Sequence, residues 1–410
     1  MTNIELPNQD NGPLDAGKDQ VYEEITSEGL GSGLEAERPE LDSEDLGAPF
    51  DPAKIDVITQ TRTVALLLTR LKEGELDLAP DFQRRANLWT LSRKSSLIES
   101  MLLRIPIPSL YVAEDNEGNY AVVDGLQRLC AIAHFVDVSS LNKAAQEKLA
   151  PLRLIGLQSL GEFNNRTFEE LPRPLQRRIN ETELTVHVIR ASTPPEVKFN
   201  IFSRINQGGL PLTAQEIRNA IYPGPWRNHI RQMATGAAFL RATEGRIKAE
   251  RMEDLELVLR FAAHYSLAPA EHRPLEQNLD DFLNEFVSKR AIKWSVKQWE
   301  DVDAAFTRAL VAAPQILGKI AFRKYSNPHE TRRPINRGLF ESETVAIAKL
   351  TSAQIDALSH KKEKVLELFK SATNTDSEFV NSLLYATGRG SSSNKRIEVF
   401  SKIFEGALHA

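Results

Sequence analysis

The chain has 410 residues, 41% hydrophobic and 26% charged, a balance ordinary for a globular protein and a length that buries a core without disulfide or metal ties. Its single cysteine, Cys130, excludes an internal disulfide and a cysteine-based zinc site. The net charge of −5 hides a division: residues 1–50 hold 13 Asp/Glu against Lys18 and Arg38, a charge of −11, which leaves +6 on the other 360 residues.

No stretch approaches the roughly 20 apolar residues that span a bilayer. Met1 to Glu5 has neither the basic nor the apolar region of a signal peptide. A cytoplasmic location is therefore expected, with no membrane partner. Cys130 lies in the apolar run Leu129 to Ile132 and reads as a buried thiol. Residues 1–50 show no lasting apolar period, which predicts a disordered acidic tail. That tail is either a solvating segment or a nucleic-acid mimic that shields a basic face.

Folding is expected to begin near residue 55. Val64, Leu67, Leu68 and Leu71 recur at helical spacing and Gly74 stops the run. Asp77 to Gln83 reads as extended. A second helix, capped by Ser92, carries Leu97, Ile98, Met101 and Leu102 inward and ends at Ile105-Pro106-Ile107-Pro108. Strands follow at Ser109 to Ala113 and Tyr120 to Val123, joined by the turn chemistry of Asp115 to Asn119. Leu126 to Val136 resumes a helical period, and Glu183 to Arg190 alternates as a strand. From Pro195 the chain reads as helix: 195–206, 213–221, 225–240, 253–265, 275–290, 295–312, 342–370 and 376–408, the last two broken. The expected class is α+β followed by an all-helical domain, divided as 1–50, 51–220 and 221–410.

The sharpest local feature is Val122-Val123-Asp124-Gly125-Leu126-Gln127-Arg128. An apolar strand gives way at Asp-Gly to a helix, whose first N–H groups and partial positive charge favour a phosphate. Gly125 would let the backbone approach a ligand. Arg128 would offer a fork for phosphate oxygens, Gln127 could orient a water, and Asp124 could hold Mg²⁺. The same pattern also describes a plain capped turn. Two further clusters, Asp81 to Trp89 and Phe202 to Gly209, are each unremarkable alone. Thr213 and Glu216 make a capping box. Basic residues gather at Lys319, Arg323, Lys324, Arg332, Arg333 and Arg337, and again at Arg389, Lys395, Arg396 and Lys402. Such groups suit a phosphate backbone, ordinary surface charge, or the chain's own acidic tail.

Taken in order, these motifs resemble the GmrSD-type restriction endonuclease N-terminal family, related in fold to ParB and sulfiredoxin. The resemblance rests on Gln83-Arg84 with Trp89, Ser96-Leu97-Ile98-Glu99-Ser100, Pro106-Ile107-Pro108, Asp124-Gly125-Leu126-Gln127-Arg128, Phe202-Ser203-Arg204-Ile205-Asn206 and Glu216-Ile217-Arg218-Asn219-Ala220. Echoes continue at Leu259-Arg260-Phe261 and Asn336 to Glu341, so it covers roughly residues 55–350. It implies a restriction or antiviral role, a ParB/sulfiredoxin-like domain, and binding or hydrolysis of a nucleoside triphosphate with Mg²⁺, coupled to DNA binding or cleavage. By this resemblance Asp124, Gln127 and Arg128 are catalytic. Gln83, Arg84, Gly125, Arg128, Arg204 and Asn206 hold the nucleotide, and Asp124 holds the metal. DNA and a partner nuclease subunit are the expected partners.

Two departures keep other readings open. Leu126 stands where the family motif has glutamine. Beyond residue 350 only His360 and His409 occur, without the pattern of a His-Asn-His nuclease. The alternatives are a non-catalytic DNA-binding regulator or sensor subunit, or direct DNA cleavage by the N-terminal domain.

Overall fold

The computed structural model describes residues 22–25, 31–36, 54–78, 89–145, 148–205, 213–249, 251–267, 273–324, 333–384 and 388–410. A small antiparallel pair, β1 (Glu23–Ile25) and β2 (Gly31–Glu35), precedes a five-stranded sheet built from β3 (Val57–Thr63), β4 (Leu76–Asp77), β5 (Leu110–Glu114), β6 (Tyr120–Asp124) and β7 (Glu183–Ile189). The sheet order is β3-β7-β5-β6-β4. The β5–β6 hairpin and the β3–β7 pair are antiparallel, while β5 runs parallel to β7 and β4 parallel to β6.

Alternation along each strand sorts side chains to two faces. Leu110 and Val112, Tyr120 and Val122, and Leu184, Val186 and Val188 enter one core. That core is closed by α1 (Val64–Glu73), α2 (Leu91–Leu102), α3 (Leu126–Val136), α4 (Val138–Ala145) and α5 (Arg173–Asn180). Ala113, Val123 and Ile189 face the other way, into a larger core that begins with α6 (Pro195–Ile205) and α7 (Ala214–Ile221). The remaining helices of that core are α8 (Trp226–Thr235), α9 (Ala237–Ala242), α10 (Glu253–Tyr265), α11 (Leu279–Lys289), α12 (Val296–Leu317), α13 (Arg337–Ala348), α14 (Ser352–His360), α15 (Lys362–Thr375), α16 (Ser377–Leu384) and α17 (Gly390–His409). The protein is thus mixed α+β with an all-helical C-terminal region. Phe202 of α6 and Ile217 and Ala220 of α7 share this core with the later helices and with Ala113, Val123 and Ile189 of the sheet.

Local chemistry explains the element ends. Thr63 accepts the Leu66 N–H to start α1, and Gly74, at φ 82°, ends it. The second helix begins at Thr90, not Ser92: the Thr90 hydroxyl accepts the Arg93 N–H. Cys130 is buried, as its apolar neighbours predict. Among the described residues, no helix is long and apolar enough to cross a membrane.

The acidic tail departs most from expectation. Leu34 is fully buried, and the β2 backbone bonds to Ile335 and Lys248. Glu35 meets Lys324 at 2.6 Å and Glu24 meets Arg337 at 2.6 Å. These partners lie about 300 positions away (301 residues for the Asn336 to Glu35 bond), so no local pattern reveals them. The rest of residues 1–50 lies outside the described residues.

Candidate functional site

The corner between β6 and α3 forms where the sequence places it. Val122 and Val123 are buried on opposite faces, Asp124 ends the strand, and Gly125 turns the chain at φ 91°, ψ 9°. Leu126 starts α3 and packs against the smaller core. No side chain caps α3, and its first intrahelical bond runs from Leu129 N–H to Gly125 O at 2.9 Å. Helix geometry leaves the preceding N–H groups outside that ladder.

Arg128 and Gly125 both make close contacts within the corner. Arg128 Nη1 donates to Pro108 O at 2.6 Å and to Ser109 O at 2.9 Å, and Nη2 donates to Asp124 Oδ2 at 2.7 Å. Its side chain is 13% exposed and that of Asp124 37%. The guanidinium is therefore a clamp that ties α3 to the end of β6 and the start of β5. A Cβ on Gly125 would stand 2.1 Å from Leu110 Cδ2. Leu110 occupies the place a side chain would take, and the positive φ is a second reason for glycine.

Asp124 pairs across the sheet with Tyr111, whose ring stacks on His187 at 4.5 Å. The Thr59 hydroxyl lies 2.9 Å from His187 Nδ1. Sequence reasoning passed over Tyr111 and His187; their only signal was polar or aromatic character at alternate strand positions. At the edge, Arg227 of α8 reaches Asp77 at 3.3 Å. Because β4 is parallel to β6, Leu76 and Asp77 run in the direction of the sheet end that carries Asp124. Gln83, Arg84 and Asn206 lie outside the described residues. Gln127 is half-buried on the first turn of α3, and Arg204 is exposed on the last turn of α6.

Other motif residues prove to be packing devices. Arg218 is fully buried and donates to Gln215 at 2.6 Å, Asn284 at 3.0 Å and Asp280 at 2.8 Å. Glu99 accepts the N–H groups of Gln158, Ser159 and Leu160. Burial alone would raise its carboxyl, but those three donors hold it below its ordinary value. Beside α2, a cavity of about 500 Å³ is lined by Arg104, Pro106, Ile107, Arg177, Arg178 and Glu181. Ile107 of this lining is followed in the chain by Pro108 and Ser109, whose carbonyls hold Arg128.

A metal fits this corner only in a restricted way. Among the described residues, no group of three or more His, Cys, Asp or Glu could hold an ion. Asp124 has Oδ2 engaged by Arg128. Mg²⁺ commonly takes one carboxylate together with substrate phosphates and water, and a single aspartate suits that arrangement alone.

The fold and this corner define a mixed α+β domain whose central hairpin runs into a helix at Asp-Gly. Residues 65–223, from α1 through α7, match the family model described as GmrSD restriction endonuclease, N-terminal domain. Over these residues the chain carries a domain of that kind, and the match supports a restriction- or defence-type protein. No curated protein and no solved structure matches the chain.

Proposed function

We propose that this chain is a cytoplasmic restriction-system component whose ParB/sulfiredoxin-like domain binds a nucleoside triphosphate with Mg²⁺ and whose helical region engages DNA. The observation that carries the reading is the α3 N-terminus, which has no side-chain cap and begins directly beside the half-exposed carboxylate of Asp124. Oriented N–H groups and the helix dipole would receive phosphate oxygens. Asp124 Oδ1 would meet the ion that neutralises the phosphates, with Arg128 fixing the carboxylate's direction as a positioning residue. Gln127 would orient a water. Gln83, Arg84, Arg204 and Asn206 are the further candidates for contacts to the nucleotide. Mg²⁺, when bound, would supply charge neutralisation; positioning by this residue set is most of what phosphoryl chemistry asks of a protein. A partner nuclease subunit would perform DNA cleavage.

Calorimetric titration of the full chain with nucleoside triphosphate and Mg²⁺ tests this. Asp124→Asn should weaken Mg²⁺-dependent binding by at least about tenfold, the scale of one lost charge-assisted contact, and remove any turnover. Unchanged affinity in that variant would refute the site.

The regulator reading is favoured by a specific observation: Arg128 is committed to internal acceptors and Leu126 packs on the core. It predicts salt-sensitive DNA binding with no nucleotide turnover in the presence or absence of DNA.

A further inference from the structure

The basic groups of the helical region meet the acidic N-terminal segment on one face. Arg337, at the first residue of α13, reaches Glu24 at 2.6 Å and also donates to the Glu35 carbonyl at 3.1 Å. Lys324 reaches Glu35 at 2.6 Å, and Asn336 donates to Glu35 Oε2 at 3.1 Å. Arg323, next along, lies 3.7 Å from Glu244. Arg251 and Glu253 stand close enough to Glu24 to feel its charge. Under the hairpin the two bases are nearly covered, with side-chain exposures of 9% for Lys324 and 11% for Arg337.

What holds the hairpin is mostly charge and backbone. Ile335 N–H donates to Gly33 O at 3.0 Å, Glu35 N–H to Ile335 O at 2.8 Å, and Lys248 N–H to Ser32 O at 3.0 Å. Leu34 is the single fully buried hydrophobic anchor of the two strands, while Tyr22 and Ile25 are 62% and 69% exposed. One leucine is little apolar burial for two strands, so the ion pairs and backbone bonds carry much of the attachment. Lysine and arginine side chains that receive carboxylates in this way suit the phosphates of a nucleic-acid backbone equally well. The charge division along the chain, −11 on residues 1–50 against +6 on the body, has the sign such competition requires.

We infer that the face formed by Lys324 and Arg337 is a phosphodiester-binding surface whose resident occupant is the chain's own acidic hairpin, so that the hairpin is an internal competitor for nucleic acid. The inference deepens the DNA reading above and rests on it. Binding of a duplex displaces Glu24 and Glu35, and the cost of displacing them lowers the affinity for weak or non-specific DNA.

The test uses the full chain, a labelled duplex and a series of salt concentrations. The double variant Glu24→Gln/Glu35→Gln keeps Leu34 and the backbone bonds, so it avoids the cavity a deletion would leave. It should bind about tenfold tighter at low salt, and log K should fall more steeply with log salt by about two, one for each cation released to phosphate. In the wild-type chain, saturating duplex should strip exchange protection from the amides of Glu35 and Ile335. Equal affinity and slope for the two proteins, or full protection of those amides at saturation, overturns the inference and leaves the DNA reading standing. Binding by neither protein overturns both.

Discussion

Arg128 shows how one side chain can carry two plausible readings. As a basic residue on the first turn of a helix after Asp-Gly, it resembles a phosphate ligand. In the structure it pairs instead with Asp124 and takes Pro108 O and Ser109 O as further acceptors. The planar fork reaches its three acceptors from two separate nitrogens, a spread that the single nitrogen of a lysine ammonium does not match. Arg128→Lys should therefore lower stability by roughly 2 kcal/mol, on the scale of one or two hydrogen bonds to a charged group. Denaturant midpoints measure it, and a midpoint equal to wild type would show that the clamp is dispensable. Neither the ion pair nor the two carbonyls was read from the sequence, because they depend on the Pro106–Pro108 segment and the end of β6 meeting beside α3.

At the level of elements, legibility follows the distance between partners. The period of α1, its Gly74 stop, the β5–β6 hairpin with its Asp115 to Asn119 turn, and the span of α3 are each written in one short local stretch. The polar strand β3 (Val-Ile-Thr-Gln-Thr-Arg-Thr) is not, because its partner β7 lies more than a hundred residues downstream and burial is shallow on this edge. β1 and β2 are hidden for the same reason, since their acidic side chains find bases only in the far helices. Gly125 sits where a legible element meets an illegible one. Its positive φ follows from Asp-Gly, but its contact with Leu110 comes from the sheet. Gly125→Ala should destabilise the protein by about 1–3 kcal/mol through backbone strain and displacement of Leu110. A thermal melt reads this, and a wild-type melting temperature would mean that the corner yields easily.

For the whole molecule, the helical region is organised around a buried charge network that periodicity could not announce. Glu341 is fully buried, with Arg396 at 3.2 Å and His264 at 3.7 Å. Burial alone would raise its carboxyl, but His264 and the guanidinium groups of Arg396, Arg260 and Arg273 bring it down to about 2. Burial lowers the His264 imidazole, so the arginines are the standing counter-charges at neutral pH. A folded carboxyl held below its unfolded value of 4.5 stabilises the protein fully above that pH, and the contribution drains away as pH falls toward about 2. Glu341→Gln should cost roughly 3–5 kcal/mol at neutral pH, the cost of leaving buried cations uncompensated, and should flatten the loss of stability on acidification across that window. An unchanged acid limb would remove Glu341 from the account. The most direct test of the central claim returns to the start of α3. Amide exchange at Leu126, Gln127 and Arg128 should slow on addition of a non-hydrolysable nucleoside triphosphate with Mg²⁺, and slow less in Asp124→Asn. Exchange at those three amides that is indifferent to saturating nucleotide would contradict a phosphate site at this helix.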